Sequence, residues 1–286
     1  VYTVSGRQGK ATMRLTLYEV LSLRRIQRWE HERQRGLKRR LLELVSHPVE
    51  YAIDRVGRNT LDATEEAIRS TVERLLHVSS YAVNPRALVR RARAHGIRIR
   101  DLSDIQRCDL RLIDRCNRRH IRSHALVATV QGAVLGLGGA FAAAADVTGV
   151  LVMDFHLIQE MAFCYGFDPN DPVEKEIVLR VILAALGSSE IRRRCLEEIE
   201  LLRTARDRPD GPPTTDKLSV VGTRALEKYI EHLTLCLLIR AVPHLLPVIS
   251  VITGALSNRE VLADSGRTGF MVYRRRFIER KRVLAA

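Results

Sequence analysis

The sequence predicts an all-α protein, a single compact multi-helix bundle around a Gly/Ala-rich central helix. Three observations carry this. Apolar residues recur at three- and four-residue intervals from end to end, alternating strand-like runs are missing, and aromatic residues make up only 5% of the chain. With 286 residues and 46% apolar composition, the chain can bury a proper core.

The elements follow in order. A first helix is expected from Met13 to Arg35, with Leu17, Val20, Leu21, Leu23, Ile26 and Trp29 on its apolar side and Gly36 as its stop. A short helix precedes Pro48, and another runs from Thr60 to Val83. Asn84 and Pro85 then start a basic helix, PRALVRRARAH, which Gly96 ends. Two short helices are expected in DLSDIQR and DLRLIDRCNRRHIRS, the second continuing into the run Ala125–Asp154. Helices over residues 172–186 and 188–206 follow the turn Gly166–Pro172. The proline- and glycine-rich stretch at residues 206–217 reads as an internal loop, residues 1–12 as a disordered lead, and residues 13–283 as one helical domain. The final third is expected as three helical pieces punctuated by Pro243, Pro247 and Gly254.

The run Ala125–Asp154 is free of charge until Asp146 and Asp154. On a helix, Ala125, Thr129, Gly132, Gly136, Gly139 and Ala143 form one seam. Each glycine in a helix interior costs roughly 1 kcal/mol relative to alanine. Gly132, Gly136, Gly138 and Gly139 therefore need a packing reason, which close approach of a neighbouring backbone supplies. A buried bundle helix, a re-entrant segment and a transmembrane span all fit the run, and the first fits best because alanine and glycine insert weakly into lipid. The second apolar segment, Leu233–Leu256, carries Arg240 and two prolines and reads as a broken helix packed in protein.

The formal net charge is +14. Residues 126–180 hold seven acids against two bases, so the remaining chain carries +19. That segregation points to an anionic partner: an acidic membrane surface or a membrane protein first, nucleic acid second. Arg274, Arg275, Arg276, Arg280, Lys281 and Arg282, interleaved with Phe270, Met271, Tyr273, Phe277 and Ile278, form the expected membrane- or anion-binding segment. Five cysteines without a C-x-x-C pair read as reduced thiols of a cytoplasmic protein, and the charge segregation with the basic C-terminal segment puts it peripheral to the inner membrane.

Candidate chemistry is sparse. Cys116, His120 and His124 stand at i, i+4 and i+8 of one helix and form the most metal-like constellation, although paired ligands on one face and nearby arginines make packing the commoner explanation. Asp146, Asp154, His156 and Glu160 supply the carboxylates and imidazole that a metal-assisted hydrolase would need. No G-x-S-x-G, H-E-x-x-H or phosphate-loop pattern occurs. A non-enzymatic protein without a cofactor is therefore the first expectation.

One block has a family look. Leu157-Ile158-Gln159-Glu160 followed by Cys164-Tyr165-Gly166-Phe167-Asp168-Pro169-Asn170-Asp171-Pro172 resembles the signature of the EcsC family, bacterial helical proteins named for the third gene of an operon encoding an ABC transporter. Ile26–Glu30, the glycine run closing in Ala145-Asp146, and Leu246–Asn258 resemble that family's pattern in the same order. His156 stands where the family often has Arg, and Val147-Thr148 replaces Ile-Pro. The resemblance spans roughly residues 20 to 280. It implies membrane proximity, with a link to transport or secretion, and marks Asp146, Gln159, Glu160, Tyr165 and Asp168 as a polar signature site.

Overall fold

The structure is a computed structural model that describes residues 15–31, 58–77, 85–94, 96, 99–135, 139–206, 230, 231, 233, 234 and 250–283. Its helices are α1 (Leu17–His31), α2 (Arg58–His77), α3 (Pro85–Ala94), α4 (Leu110–Leu135), α5 (Gly139–Cys164), α6 (Pro172–Leu186), α7 (Ser189–Arg206) and α8 (Ser250–Val283), with a 3₁₀ turn at Ser103–Arg107 between α3 and α4. No strand occurs among the described residues, and the all-α expectation holds. The lead at 1–12, the helix before Pro48, residues 207–217 of the loop, and Arg240, Pro243 and Pro247 lie outside the described residues.

The Gly/Ala run is shared by two helices rather than forming one rod. Helix α4 ends at Leu135 and α5 begins at Gly139. Cys116 Sγ meets Cys164 Sγ, while His124 meets Glu160, so α4 and α5 pack antiparallel. Helix α5 sits at the centre, touching α2, α3, α4, α6 and α8. A helix apolar all round belongs in a core, and Val150, Leu151, Phe155, Leu157, Ile158 and Met161 of α5 are all buried.

The longest helix, α8, lies along α4, α5 and α6. It runs through Gly254, where the sequence suggested a break. Close approaches of the kind the sequence assigned to the glycines of the central run are found at Gly266 and Gly269. A Cβ on Gly266 would stand 2.9 Å from Ile121 of α4, and one on Gly269 2.8 Å from Ile158 of α5. Gly132 lies in α4 and Gly139 opens α5, whereas Gly136 and Gly138 lie outside the described residues.

Helix ends explain part of the arginine content. The last carbonyls of a helix lack intrahelical donors and attract cations. Lys175 Nζ donates to Leu76 O of α2 at 3.2 Å. Arg192 donates to Trp29 O of α1 at 3.2 Å, its guanidinium stacked 4.1 Å over the Trp29 ring.

The corner between α5 and α6 is built by the Cys164–Pro172 block. Gly166 takes φ +84°, Gly166 N–H donates to Phe163 O at 2.8 Å, and Phe167 N–H donates to Ala162 O at 3.0 Å. This is the Schellman pattern that a left-handed residue after a helix permits. Asp171 then accepts from Val173 N–H at 2.8 Å, with Pro172 opening α6. Replacing Gly166 by alanine is expected to cost roughly 1–2 kcal/mol, because the new Cβ would also meet Gln106 Nε2 at 3.1 Å and Ile105 Cβ at 3.3 Å. Urea unfolding of the variant checks this, and an unchanged midpoint would contradict it.

Candidate functional site

Three of the six C-terminal cations, Arg274, Arg276 and Lys281, are interior clamps. Arg274 and Asp114 are each 1% exposed and pair at 2.6 Å. Asp114 of α4 also accepts from Tyr18 Oη of α1 at 2.6 Å and from Tyr165 Oη at 2.7 Å. Burial and the Asp114 carboxylate push the Tyr165 hydroxyl well above its ordinary pKa, so it stays a proton donor. Arg276 grips both oxygens of the buried Glu174 at 2.5 and 2.9 Å and stacks 4.0 Å over Phe167. Lys281 pairs with the buried Glu19 at 2.7 Å, Arg275 with Glu30 at 2.8 Å, and Arg280 donates to Gly166 O at 3.1 Å.

The expected anion-binding segment is therefore corrected for Arg274, Arg276 and Lys281. Arg274, Arg276 and Lys281 are buried, Arg275 is part-buried and paired, and Arg280 and Arg282 are exposed at the end of α8. Buried charges need partners, and carboxylates from α1, α4 and α6 supply them.

The polar signature residues do not converge on one cavity. Gln159 donates to Pro169 O at 3.1 Å across the α5–α6 corner. Tyr165 serves the Asp114 network. Asp168 is exposed, and its Oδ1 accepts from Asn170 N–H at 3.0 Å inside the turn. Glu160 faces α4, and the side chain of Asp146 lies outside the described residues. Most of the block fastens the corner.

The proposed hydrolase cluster is also divided. On an α-helix Asp154 lies about 120–160° around the axis from Glu160 and His156. Asp154 is fully buried, whereas His156 shares its electrostatic surroundings with Glu160 and His124. Burial draws the His156 imidazole below its usual pKa despite Glu160. An open depression is lined by Arg93, Ile99, Arg100, Asp104, Arg107 and Cys108, where burial and then Asp104 raise the Cys108 thiol.

The metal-like trio regroups. Cys116 and His120 keep company, yet His124 turns to Glu160 at 3.2 Å, and Cys164 of α5 takes its place. Cys116, His120 and Cys164 are buried, with ligand atoms within 4.8 Å of one another. Spacing of four on both helices was the legible signal: Cys116, His120, His124 against Cys164, Glu160, His156. Only the antiparallel pairing of α4 and α5 joins the two sets.

The sequence reading missed the chief exposed charge feature. Arg111, Arg115, Arg118, Arg119 and Arg122 of α4 are all exposed. They fall within an arc of about 100° over about 17 Å of helix. The helix's one carboxylate, Asp114, is buried beneath. Leu126, 68% exposed, continues the stripe. Helix α1 adds Leu17, Val20, Leu21, Arg24, Arg25 and Arg28, all exposed, while its buried side is Glu19, Ser22, Ile26 and Trp29. The expected apolar side of α1 is thus corrected for Leu17, Val20 and Leu21. The two faces meet where Arg111 lies 5.1 Å over the Tyr18 ring. Arg24, Arg25, Arg28, Arg115 and Arg122 enter no ion pair among the described residues.

Fold and corner together define a class: an all-α bundle with a glycine-terminated α5–α6 turn, clamped by cations of its last helix. Residues 21–278 match the sequence profile of the EcsC protein family, and the chain belongs to that family. It is 28% identical over 182 residues to the uncharacterized protein YdbA of Bacillus subtilis (strain 168), covering 63% of each chain. It is 25% identical over 162 residues to protein EcsC of the same organism, covering 57% of this chain and 62% of that one. These matches span less than two thirds of either relative. No solved structure matches the chain.

Proposed function

We propose that the protein is a non-enzymatic, membrane-proximal helical protein that docks on anionic lipid through the joined outer faces of α1 and α4. One observation carries the reading: five exposed arginines in one stripe of α4, bordered by exposed Leu126 and by the Leu17–Leu21 end of α1. Basic and apolar side chains sharing one face suit the boundary between headgroups and acyl chains, whereas a nucleic-acid surface has no use for bare leucines. Among the described residues no helix is long and apolar enough to cross a membrane, so the contact proposed is peripheral. The cytoplasmic side of the inner membrane is the matching surface, because its anionic lipids attract polybasic segments. The link to transport or secretion, with a membrane partner, comes from the family resemblance and is proposed beside this contact.

Flotation with anionic and neutral vesicles tests it. The protein is expected to rise with anionic vesicles at low salt, to release them as salt increases, and to ignore neutral ones. Equal behaviour on both lipids contradicts the proposal, and a steep salt-dependent shift of duplex DNA without lipid binding would replace it with a nucleic-acid role.

A further inference from the structure

We propose that Cys116, His120 and Cys164 form a zinc site that fastens α4 to α5, with Glu160 able to take the fourth position. The two sulfurs lie 3.8 Å apart. Two thiolates held about 2.3 Å from a tetrahedral zinc ion stand about 3.8 Å from each other, so these positions already suit the ion. His120 faces both sulfurs, Nε2 3.8 Å from Cys116 Sγ and Nδ1 3.9 Å from Cys164 Sγ, and one ring nitrogen lies within 4.8 Å of both. Sulfur and nitrogen on one zinc ion stand about 3.5 Å apart, so the nitrogen that binds has to move by up to about 1.3 Å, which rotation of the His120 ring supplies. Glu160 Oε2 lies 3.8 Å from His120 Nδ1 and outside the group of ligand atoms within 4.8 Å of one another, so it reaches the ion once its carboxylate swings inward. Cys116 and Cys164 are not joined in a disulfide.

The donor set selects the ion. Two thiolates and an imidazole suit Zn²⁺ or Cu⁺, and a carboxylate oxygen as the fourth donor favours the harder Zn²⁺. Binding releases two protons, one from each thiol, and the two thiolates then neutralise the dication. Four protein donors would leave no open coordination position, so the site would be structural rather than hydrolytic. His124, bonded to Glu160 at 3.2 Å, orients that carboxylate from outside. The ladder also provides a route inward. His124 is 21% exposed and His156 partly exposed, Glu160 follows at 15%, and the sulfurs lie at the closed end. This inference does not rest on the docking face.

The test uses the full chain, reduced and stripped with a chelator, then titrated with Co²⁺ in the absence of air. One equivalent is expected to give tetrahedral ligand-field bands and a thiolate-to-cobalt charge-transfer band, both removed by Zn²⁺. Cys116→Ser and Cys164→Ser should each weaken zinc binding by at least about 100-fold, beyond what loss of an outer partner such as His124 costs. Cys108→Ser should bind as the parent does. Because a buried variant can fail to fold, the unaltered chain supplies a second readout: zinc should slow alkylation of Cys116 and Cys164, mapped by mass spectrometry, and leave Cys108 unaffected. A folded parent protein without the charge-transfer band overturns the proposal. So does a band that survives in both serine variants, or protection confined to other cysteines.

Discussion

Replacing Asp114 by alanine is expected to destabilise the protein by about 3–5 kcal/mol, a fall in melting midpoint on the order of 10 °C for a chain of this size. Asp114 is the one acceptor that ties α1, α4, the end of α5 and α8 together, through Tyr18, Tyr165 and Arg274. Its removal leaves the Arg274 guanidinium 1% exposed without its carboxylate, with ring contacts to Tyr18 and Phe270 remaining among the described residues. An uncompensated buried charge is the costliest outcome of breaking such a pair. Arg274→Met should cost less, since the Asp114 carboxylate keeps its two hydroxyl donors. The double variant Asp114→Leu/Arg274→Met should recover part of the loss, because an apolar pair carries no desolvation penalty. Thermal unfolding of the set checks the ordering. Equal losses for Asp114→Ala and the double variant would mean that packing volume, rather than buried charge, sets the energetics there.

The helices were legible because three- and four-residue periodicity survives any rearrangement of neighbours. Expected spans for α4, α6 and α7 agree with the structure to within a residue or two at their starts, the usual latitude of helix ends. Faces were less legible. Helix α1 shows Leu17, Val20 and Leu21 outward and buries Glu19 and Ser22, since the neighbour covering it brings Lys281 rather than an apolar surface. The same blindness affected the C-terminal cations. Nothing local to Arg274 or Arg276 reveals a carboxylate on α4 or α6, so both read as a solvated basic segment. The Cys164–Pro172 block stood out in sequence, but its work as a corner depends on the positive φ of Gly166 and on backbone bonds that residue types alone do not specify.

A second large effect is expected from reversing charge on the docking face. Each basic residue near an anionic leaflet contributes about 1 kcal/mol. Losing Arg25, Arg115 and Arg122 together therefore removes about 3 kcal/mol, on the order of 100-fold in partitioning, and glutamate in their place adds repulsion. All three are exposed and enter no ion pair among the described residues, so the fold should tolerate the change. Added salt should shrink the difference between parent and variant, since the Debye length falls to about 8 Å at physiological ionic strength. Removing the exposed leucines Leu17 and Leu21 should weaken binding in a way that salt does not mask.

Net charge alone could mimic this result, so the decisive measurement compares two variants of equal charge on anionic vesicles at low salt. One carries Arg25→Glu, Arg115→Glu and Arg122→Glu on the α1–α4 face. The other carries Arg74→Glu, Arg90→Glu and Arg193→Glu at exposed positions of α2, α3 and α7. The docking account predicts that the first stays at the bottom of the gradient while the second floats nearly as well as the unaltered protein. Equal loss in both, or flotation of the first, would contradict it.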